Sequence, residues 1–271
     1  MKQPAKPAIY RTDPLPHVNH VVAIASGKGG VGKSTLTVNL ALMLHAMGLR
    51  VGVLDADIYG PSIPRMLGMS EQRQPEMHDG LMQPPEAMGL KTMSMGYITG
   101  EAAAILRAPM ITKALQQMLR MSAWGTEEAP LDMLLVDMPP GTGDVHLSMI
   151  QQVPVNGAVV ITTPQEVATL DARKAVQMFQ KLKVPLLGIV ENMSAYTDAA
   201  GNVVALFGEG GGAALAEQAS TELLGQLPLD PALRECADAG ESYLEKHAGS
   251  EAAQKLEDIA LKAQAALGRL A

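Results

Sequence analysis

The chain has 271 residues, 47% of them hydrophobic, and a formal net charge of −7. This length allows one large α/β domain with a substantial core, and the acidic balance argues against broad nucleic-acid binding, which usually needs a basic face. A single cysteine excludes an internal disulfide. Because we find no apolar leader near the N-terminus and no run approaching about 18 apolar residues, we expect a cytoplasmic protein without a membrane span.

Short apolar runs alternate along the chain with stretches of helical periodicity. The predicted strands are 21–26, 51–57, 90–97, 133–138, 157–163, 186–193 and 223–229. The predicted helices are 33–47, 109–121, 167–181 and 210–219. This alternation predicts an α/β fold with a doubly wound, mostly parallel sheet, whose ligands bind at the carboxyl ends of the strands.

The domain organisation follows from the absence of any internal repeat or low-complexity linker. Residues 1–18 contain four prolines and are predicted to form an extended N-terminal arm, followed by a single domain over residues 19–271. Near the C-terminus, an apolar stripe predicts a helix docked on the domain, because a membrane-surface helix would be more basic and carry a bulky aromatic. The stripe consists of Leu256, Ile259, Ala260, Ala263 and Leu267.

The segment SGKGGVGKST (26–35) lies between the first predicted strand and the first predicted helix. It contains the phosphate-binding pattern G-x-x-x-x-G-K-[ST]. Its glycines let backbone N–H groups surround phosphate oxygens. Lys33 would contact the β- and γ-phosphates of ATP, and the Ser34 hydroxyl would ligate Mg²⁺. The nucleotide-binding residues predicted here are Gly27, Lys28, Gly29, Gly30, Val31, Gly32, Lys33, Ser34 and Thr35.

Acidic residues follow two later predicted strands. LDADIYGPS places Asp55 and Asp57 just beyond one strand, and LLVDMPPGTGD places Asp137 at the end of another. An aspartate in this position commonly holds the Mg²⁺ of a phosphate-binding loop, often through water, although it can also merely cap a turn. The intact loop upstream favours the functional role for Asp57 and Asp137, whereas both interpretations stay open for Asp55.

Several stretches resemble known protein families. The loop GKGGVGKST is similar to the deviant Walker A motif of the MinD/ParA/nitrogenase-iron-protein class of P-loop ATPases. Within that class, the chain resembles the Mrp/ApbC family of iron–sulfur cluster carrier ATPases from about residue 18 to about residue 240. The similar segments are DADIYGPSIPRMLG (55–68), RAPM (107–110), DMPPGTGDVHLS (137–148), TTPQEVATLDARKAVQMF (162–179), GIVENMS (188–194) and LGQLPLDPALRECADAG (224–240).

The resemblance implies a Mg²⁺-dependent, ATP-hydrolysing homodimer that acts in iron–sulfur cluster assembly or transfer with donor or client proteins. It implies that Lys28 reaches across the dimer to the partner's nucleotide and, with Lys33 and Asp57, makes up the catalytic residues. By the same resemblance, Asp57 positions the attacking water and Asp137 holds Mg²⁺ through water. The alternative for Lys28 is an ordinary solvated surface lysine.

The resemblance also implies contacts to the γ-phosphate and the base. Gly141 would offer its N–H near the γ-phosphate, and Asn192 would read the adenine edge. The backbone around Pro228 and Leu229 would line the base. The alternative for Asn192 is a residue that merely ends a strand at a turn.

One part of the family pattern is missing. Iron–sulfur carriers of this family have C-x-x-C-G shortly after ENMS, so that two subunits offer four thiolates to a [4Fe–4S] cluster. This chain reads ENMSAYTDAAGNVVALFG, which places Thr197 and Ala200 at the cysteine positions. We interpret Cys236, the only thiol, as a small residue near a helix end. The alternatives to a cluster carrier are a MinD/ParA-like positioning switch and a metal-free nucleotide-gated scaffold.

Methionine is unusually frequent in one segment. Ten methionines lie between Met66 and Met121. We expect them to fill the core, and the alternative is an adaptable surface that binds a partner.

Overall fold

The computed structural model describes residues 13–58, 60–69, 74–99, 108–143, 146–147, 150–151 and 154–270. Its strands are β1 (Val18–Ser26), β2 (Val51–Asp55), β3 (Glu76–His78), β4 (Leu81–Gln83), β5 (Glu86–Ala87), β6 (Leu90–Ser94), β7 (Leu131–Asp137), β8 (Gly157–Thr162), β9 (Leu186–Asn192), β10 (Tyr196–Thr197), β11 (Val203–Val204) and β12 (Leu223–Leu227). Its helices are α1 (Lys33–Ala46), α2 (Ile63–Met66), α3 (Met95–Thr99), α4 (Ala108–Arg120), α5 (Glu166–Lys181), α6 (Gly211–Ala219), α7 (Pro231–Ala239), α8 (Tyr243–Lys246) and α9 (Glu251–Gly268).

An eight-stranded sheet in the order β12-β9-β8-β1-β7-β2-β6-β5 forms the centre of the described structure. All its neighbouring strands are parallel except the edge pair β5–β6. Strand β1 lies between β8 and β7, and β2 is the next strand beyond β7. The carboxyl ends of these strands therefore place the phosphate-binding loop, Asp137 and Asp55 along one edge.

The sheet is covered on both faces, as its nearly continuous apolar strands require. Val22 and Ile24 of β1 pack into one core with α1 and α9. The alternate residues Val21 and Ala23 pack into a second core with α4 and α5. Since successive side chains of a strand point to opposite faces, the two cores follow directly from the apolar runs.

The predicted α/β fold with its mostly parallel sheet is confirmed, and the boundaries differ in informative places. The run predicted as a strand over 90–97 ends at Ser94, and α3 begins at Met95. The cause is local, because the Ser94 hydroxyl accepts the N–H of Gly96 and starts a turn. The predicted apolar stripe of the C-terminal helix is buried along α9.

The structure also bears on the expected N-terminal arm. Leu15 is only 4% exposed and packs in the core beside α4, and the carbonyl of Asp13 accepts a hydrogen bond from Arg120. Strand β1 begins at Val18. Leu15 therefore packs against the domain although it precedes the expected boundary, and residues 1–12 lie outside the described residues.

The methionine-rich segment divides between core and surface. Met93 and Met118 are fully buried, whereas Met77 and Met110 are more than half exposed. Core filling therefore accounts for only some of these side chains. Within the part of the chain that the structure describes, no helix is long and apolar enough to cross a lipid bilayer.

Candidate nucleotide-binding site

The loop between β1 and α1 has the backbone that its glycines predict. Gly30 and Gly32 have φ angles of 80° and 88°, in the left-handed region that glycine adopts without a steric penalty. Gly27 lies so close to α5 that a Cβ there would overlap the main chain of Asp171. Helix α1 then starts at Lys33 without a side-chain cap, so its first N–H groups remain available to an anion.

The loop's two functional side chains converge on Asp137. The Lys33 Nζ lies 2.7 Å from Asp137 Oδ2, and the Ser34 hydroxyl donates to the same oxygen at 2.6 Å. The Thr37 hydroxyl donates to Asp137 Oδ1 at 2.8 Å. Asp137 is fully buried and Lys33 is 6% exposed. The sequence analysis missed Thr37, although its spacing of four residues from Lys33 places both on one face of a helix.

Asp57 lies at the same site. Its Oδ2 is 3.9 Å from the Lys33 Nζ, and its side chain is 13% exposed. The structure thus brings Lys33 of α1, Asp137 of β7 and Asp57 of the loop after β2 together. This cluster combines one cation with two carboxylates and a serine hydroxyl, the hard oxygen donors that Mg²⁺ prefers. The residues present therefore fit a magnesium ion.

Asp55 has a different surrounding from its neighbour. It is fully buried at the end of β2, and its carboxylate accepts hydrogen bonds from the N–H groups of Asp57 and Ile63, both at 3.1 Å. Burial, followed by the nearby charge of Asp137, raises the pKa of Asp55 to about 8. For Asp55, the structure therefore supports the turn-capping interpretation.

The glycine-rich segment after Asp137 lies beside the phosphate-binding loop. The Gly141 N–H donates to the Ser26 carbonyl at 3.1 Å, with a φ of 99° at Gly141. The Ser26 hydroxyl in turn donates to the Lys28 carbonyl at 2.9 Å. Lys28 itself is half-buried. Ser26 therefore forms hydrogen bonds with the backbone of both residues that are predicted to contact phosphate, Lys28 and Gly141.

The residues predicted to bind the base lie along the same sheet edge. Asn192 is the last residue of β9, and its side-chain amide donates to the Val31 carbonyl at 2.9 Å. The Leu229 N–H donates to the Ala195 carbonyl at 2.7 Å, which joins the chain after β12 to the chain after β9. Asn192 therefore contacts the loop directly, whereas Pro228 and Leu229 follow the neighbouring strand β12.

Some residues of the similar segments cannot be placed. Tyr59, Arg107, Asp144, Val145 and Ser148 lie outside the described residues.

The hairpin β10–β11 occupies the position where the resemblance implies two cysteines. Thr197 and Ala200 are exposed, and the Asp198 carboxylate closes the turn by accepting the N–H groups of Ala200 and Asn202. A hydroxyl and a methyl group do not ligate an iron–sulfur cluster at neutral pH. The side chains at this hairpin therefore do not fit one.

Cys236 does not supply the missing thiolate. It is 4% exposed within α7 and borders a small cavity with Val38, Met66 and Tyr243. Burial raises the pKa of its thiol, which disfavours the thiolate that would bind a metal. Cys236 lies near the C-terminal end of α7, in agreement with its interpretation as a small residue near a helix end. Among the described residues, no group of three or more His, Cys, Asp or Glu side chains is arranged to hold a metal ion.

The parallel sheet, the loop and its buried Lys–Asp pair define a P-loop nucleotide-binding protein of the MinD/ParA type. MinD from Pyrococcus furiosus shares the fold, with a TM-score of 0.66 at 20% identity over 92% of this chain and 99% of that chain. A nucleotide-binding protein from Archaeoglobus fulgidus, solved in complex with ADP, has a TM-score of 0.73 at 37% identity. That similarity covers 83% of this chain and 88% of the other.

The sequence comparisons identify the family. Residues 17–264 match the ParA family, described as the NUBPL iron-transfer P-loop NTPase. An iron–sulfur cluster carrier protein from Salmonella typhimurium is 54% identical over 226 residues, and one from Pseudomonas fragi is 50% identical over 229 residues. The chain therefore belongs to the Mrp/ApbC family of iron–sulfur cluster carriers. The matches cover 82% and 83% of this chain, and they span 60% of the Salmonella relative and 78% of the Pseudomonas one.

Proposed function

We propose that the protein is a cytoplasmic, Mg²⁺-dependent ATPase that works as a homodimer in iron–sulfur cluster assembly or transfer. The observation that carries this proposal is the convergence of Lys33, Ser34 and Asp57 around the buried Asp137 carboxylate. Hydrolysis of a nucleoside triphosphate needs a cation for the phosphates, oxygen ligands for a magnesium ion and a group that orients water. The contiguous cluster of Lys33, Ser34, Asp137 and Asp57 offers side chains of the types that these three tasks need.

Each residue has a distinct role in the proposed reaction. Lys33 exchanges its ion pair with Asp137 for the β- and γ-phosphates of ATP. Ser34 directly and Asp137 through water would hold Mg²⁺, which neutralises phosphate charge when bound. Asp57 orients a water by accepting its hydrogen bond, so that the water oxygen attacks the γ-phosphorus as the bond to ADP breaks.

Two further groups would act on the γ-phosphate. The Gly141 N–H would leave the Ser26 carbonyl to donate to a γ-phosphate oxygen. Lys28 would extend across the dimer to the nucleotide bound by the partner, where its charge would neutralise γ-phosphate charge as the bond to ADP breaks. Asn192 and the backbone at Pro228 and Leu229 would hold the adenine.

The cluster itself would be cargo that donor or client proteins ligate. This assignment follows from the exposed Thr197 and Ala200 on the hairpin and from the burial of Cys236. The same observations favour a second candidate function, a metal-free scaffold that binds or releases a partner according to the nucleotide.

Calorimetric titration with ATP and Mg²⁺ tests the nucleotide site. Because Lys33→Ala removes a charge-assisted contact to phosphate, we expect its affinity for ATP to fall by at least about 100-fold. Lys174→Ala is the matched control, since that lysine side chain is 64% exposed and pairs with Asp171 on α5. Affinity that is unchanged in Lys33→Ala, or lowered equally in both variants, would contradict the proposal.

A further inference from the structure

Asp55 is a buried carboxyl group to which the proposed reaction assigns no role. Its Oδ1 accepts the N–H of Asp57, and its Oδ2 accepts the N–H of Ile63 at 3.1 Å and the Ser94 hydroxyl at 3.2 Å. A fully buried carboxylate is costly unless its oxygens receive hydrogen bonds. The buried Asp55 side chain is therefore stable only when the surrounding chain keeps these three donors in place.

Two of these three bonds bracket a short loop. The loop leaves β2 after Asp55 and enters α2 at Ile63, and Asp57 lies near its beginning. One carboxylate thus contacts the backbone near both ends of the loop. The third bond, from Ser94, ties the carboxylate to the neighbouring strand β6. The side chain of Asp55 therefore connects the loop to the central sheet.

We propose that Asp55 is a positioning residue, which fixes the loop backbone so that the Asp57 carboxylate faces the Lys33 ammonium group. This inference rests on the proposed function, in which Asp57 orients the attacking water. The hydrogen bond from the Asp57 N–H to Asp55 joins the two residues directly. A shift of about 1 Å in a water-orienting group is enough to reduce turnover by about 100-fold.

The proposal separates turnover from binding. Lys33 and Ser34 reach Asp137 without contacting Asp55 in the hydrogen bonds described above. A change at Asp55 should therefore alter the position of Asp57 while the phosphate-binding loop keeps its shape. Asp55→Asn keeps the size of the side chain but replaces one acceptor oxygen with an NH₂ group, so at least one N–H of the loop loses its acceptor.

The experiment measures kcat and the ATP dissociation constant for wild type, Asp55→Asn, Asp57→Ala and the double variant. We expect kcat to fall at least tenfold in Asp55→Asn while the dissociation constant changes less than threefold. We expect the double variant to be no slower than Asp57→Ala, because a residue that acts only through Asp57 has no effect once Asp57 is gone. Ser94→Ala removes the hydroxyl that contacts Asp55 and Gly96 but leaves both backbone bonds to Asp55, so we expect its kcat to fall less than that of Asp55→Asn.

Several outcomes would overturn the inference, and they are distinguishable from a failure of the proposed function. If Asp57→Ala loses hydrolysis while Asp55→Asn keeps the wild-type kcat, or if the double variant is much slower than Asp57→Ala, only the role of Asp55 is wrong. If wild-type protein does not hydrolyse ATP, or if Asp57→Ala hydrolyses it normally, both proposals are wrong. A dissociation constant that rises as much in Asp55→Asn as in Lys33→Ala would make Asp55 a binding residue instead.

Thermal unfolding of each variant shows whether it is folded at the assay temperature. Should Asp55→Asn fail to fold, amide hydrogen exchange in the wild-type protein decides the question. The proposal predicts slow exchange at the N–H groups of both Asp57 and Ile63. Exchange at the rate of an unstructured chain at either position would overturn it.

Discussion

The phosphate-binding loop and the β10–β11 hairpin differ in how firmly each is built into the fold. The loop's Lys33 and its partner Asp137 are buried, and Gly27 is packed against the backbone of α5. The hairpin has two residues in each strand, and Val203 is 72% exposed. Changes at the packed positions of the loop, such as Gly27, therefore disturb the core, whereas changes in the hairpin leave it intact. The phosphate-binding motif thus lies in a packed part of the fold, whereas the position without thiolates lies in an exposed one.

The largest effect on stability should come from the packing of the loop. Gly27→Ala places a methyl group against the main chain of Asp171, so we expect a loss of about 3 kcal/mol in the free energy of unfolding. Gly29→Ala is the matched control in the same loop, because its Cβ would meet only Pro140 at an ordinary 3.9 Å. Denaturation in urea without nucleotide measures both. Equal stability of the two variants would show that the loop is not packed as described.

The next prediction concerns Lys28 in trans. We expect Lys28→Ala to lower hydrolysis by at least about 100-fold while most ATP binding remains, because its charge would act on the partner's γ-phosphate. Mixing Lys28→Ala with Asp57→Ala subunits produces hybrid dimers. In each hybrid, one site keeps its own Asp57 and receives an intact Lys28, so a random mixture should recover roughly a quarter of wild-type activity.

Recovery of ATP hydrolysis in that mixture would support the trans role of Lys28. Activity that stays at the level of the separate variants, although the subunits exchange, would exclude the trans role of Lys28. Size-exclusion chromatography with and without ATP provides the control that mixed dimers form.

A smaller effect should be visible in the reactivity of the only thiol. Since the thiolate is the reactive form and burial raises the pKa of Cys236, we expect alkylation by iodoacetamide to be at least about tenfold slower in native protein than in urea. Equal rates in both conditions would mean that Cys236 is accessible. Cys236 would then again be a candidate metal ligand.

The smallest effect should come from the hairpin. Val203→Ser changes an exposed side chain of a two-residue strand, so the free energy of unfolding should change by less than about 0.5 kcal/mol. A loss of 2 kcal/mol or more would contradict the contrast between loop and hairpin, because it would show that the hairpin is packed against something.

The sequence analysis predicted the features that depend on local patterns. The apolar runs, the phosphate-binding motif and the stripe on α9 each follow from spacing alone, and the structure confirms the elements they predict. Thr37 and the hydrogen bond from Asn192 to Val31 were missed because they depend on which distant segments meet. The start of α3 at Met95 was also missed, since there a single serine hydroxyl ends a run that was predicted as one strand.

The central claim is that the protein binds ATP but does not itself hold an iron–sulfur cluster. Anaerobic reconstitution with iron and sulfide tests it most directly. Absorption spectroscopy, metal analysis and ATP binding are then measured on the same sample. The account predicts protein that binds ATP and holds no stable cluster, because Thr197 and Ala200 replace the thiolates and Cys236 is buried. A stoichiometric [4Fe–4S] spectrum that disappears in Cys236→Ser would contradict it and make Cys236 a ligand.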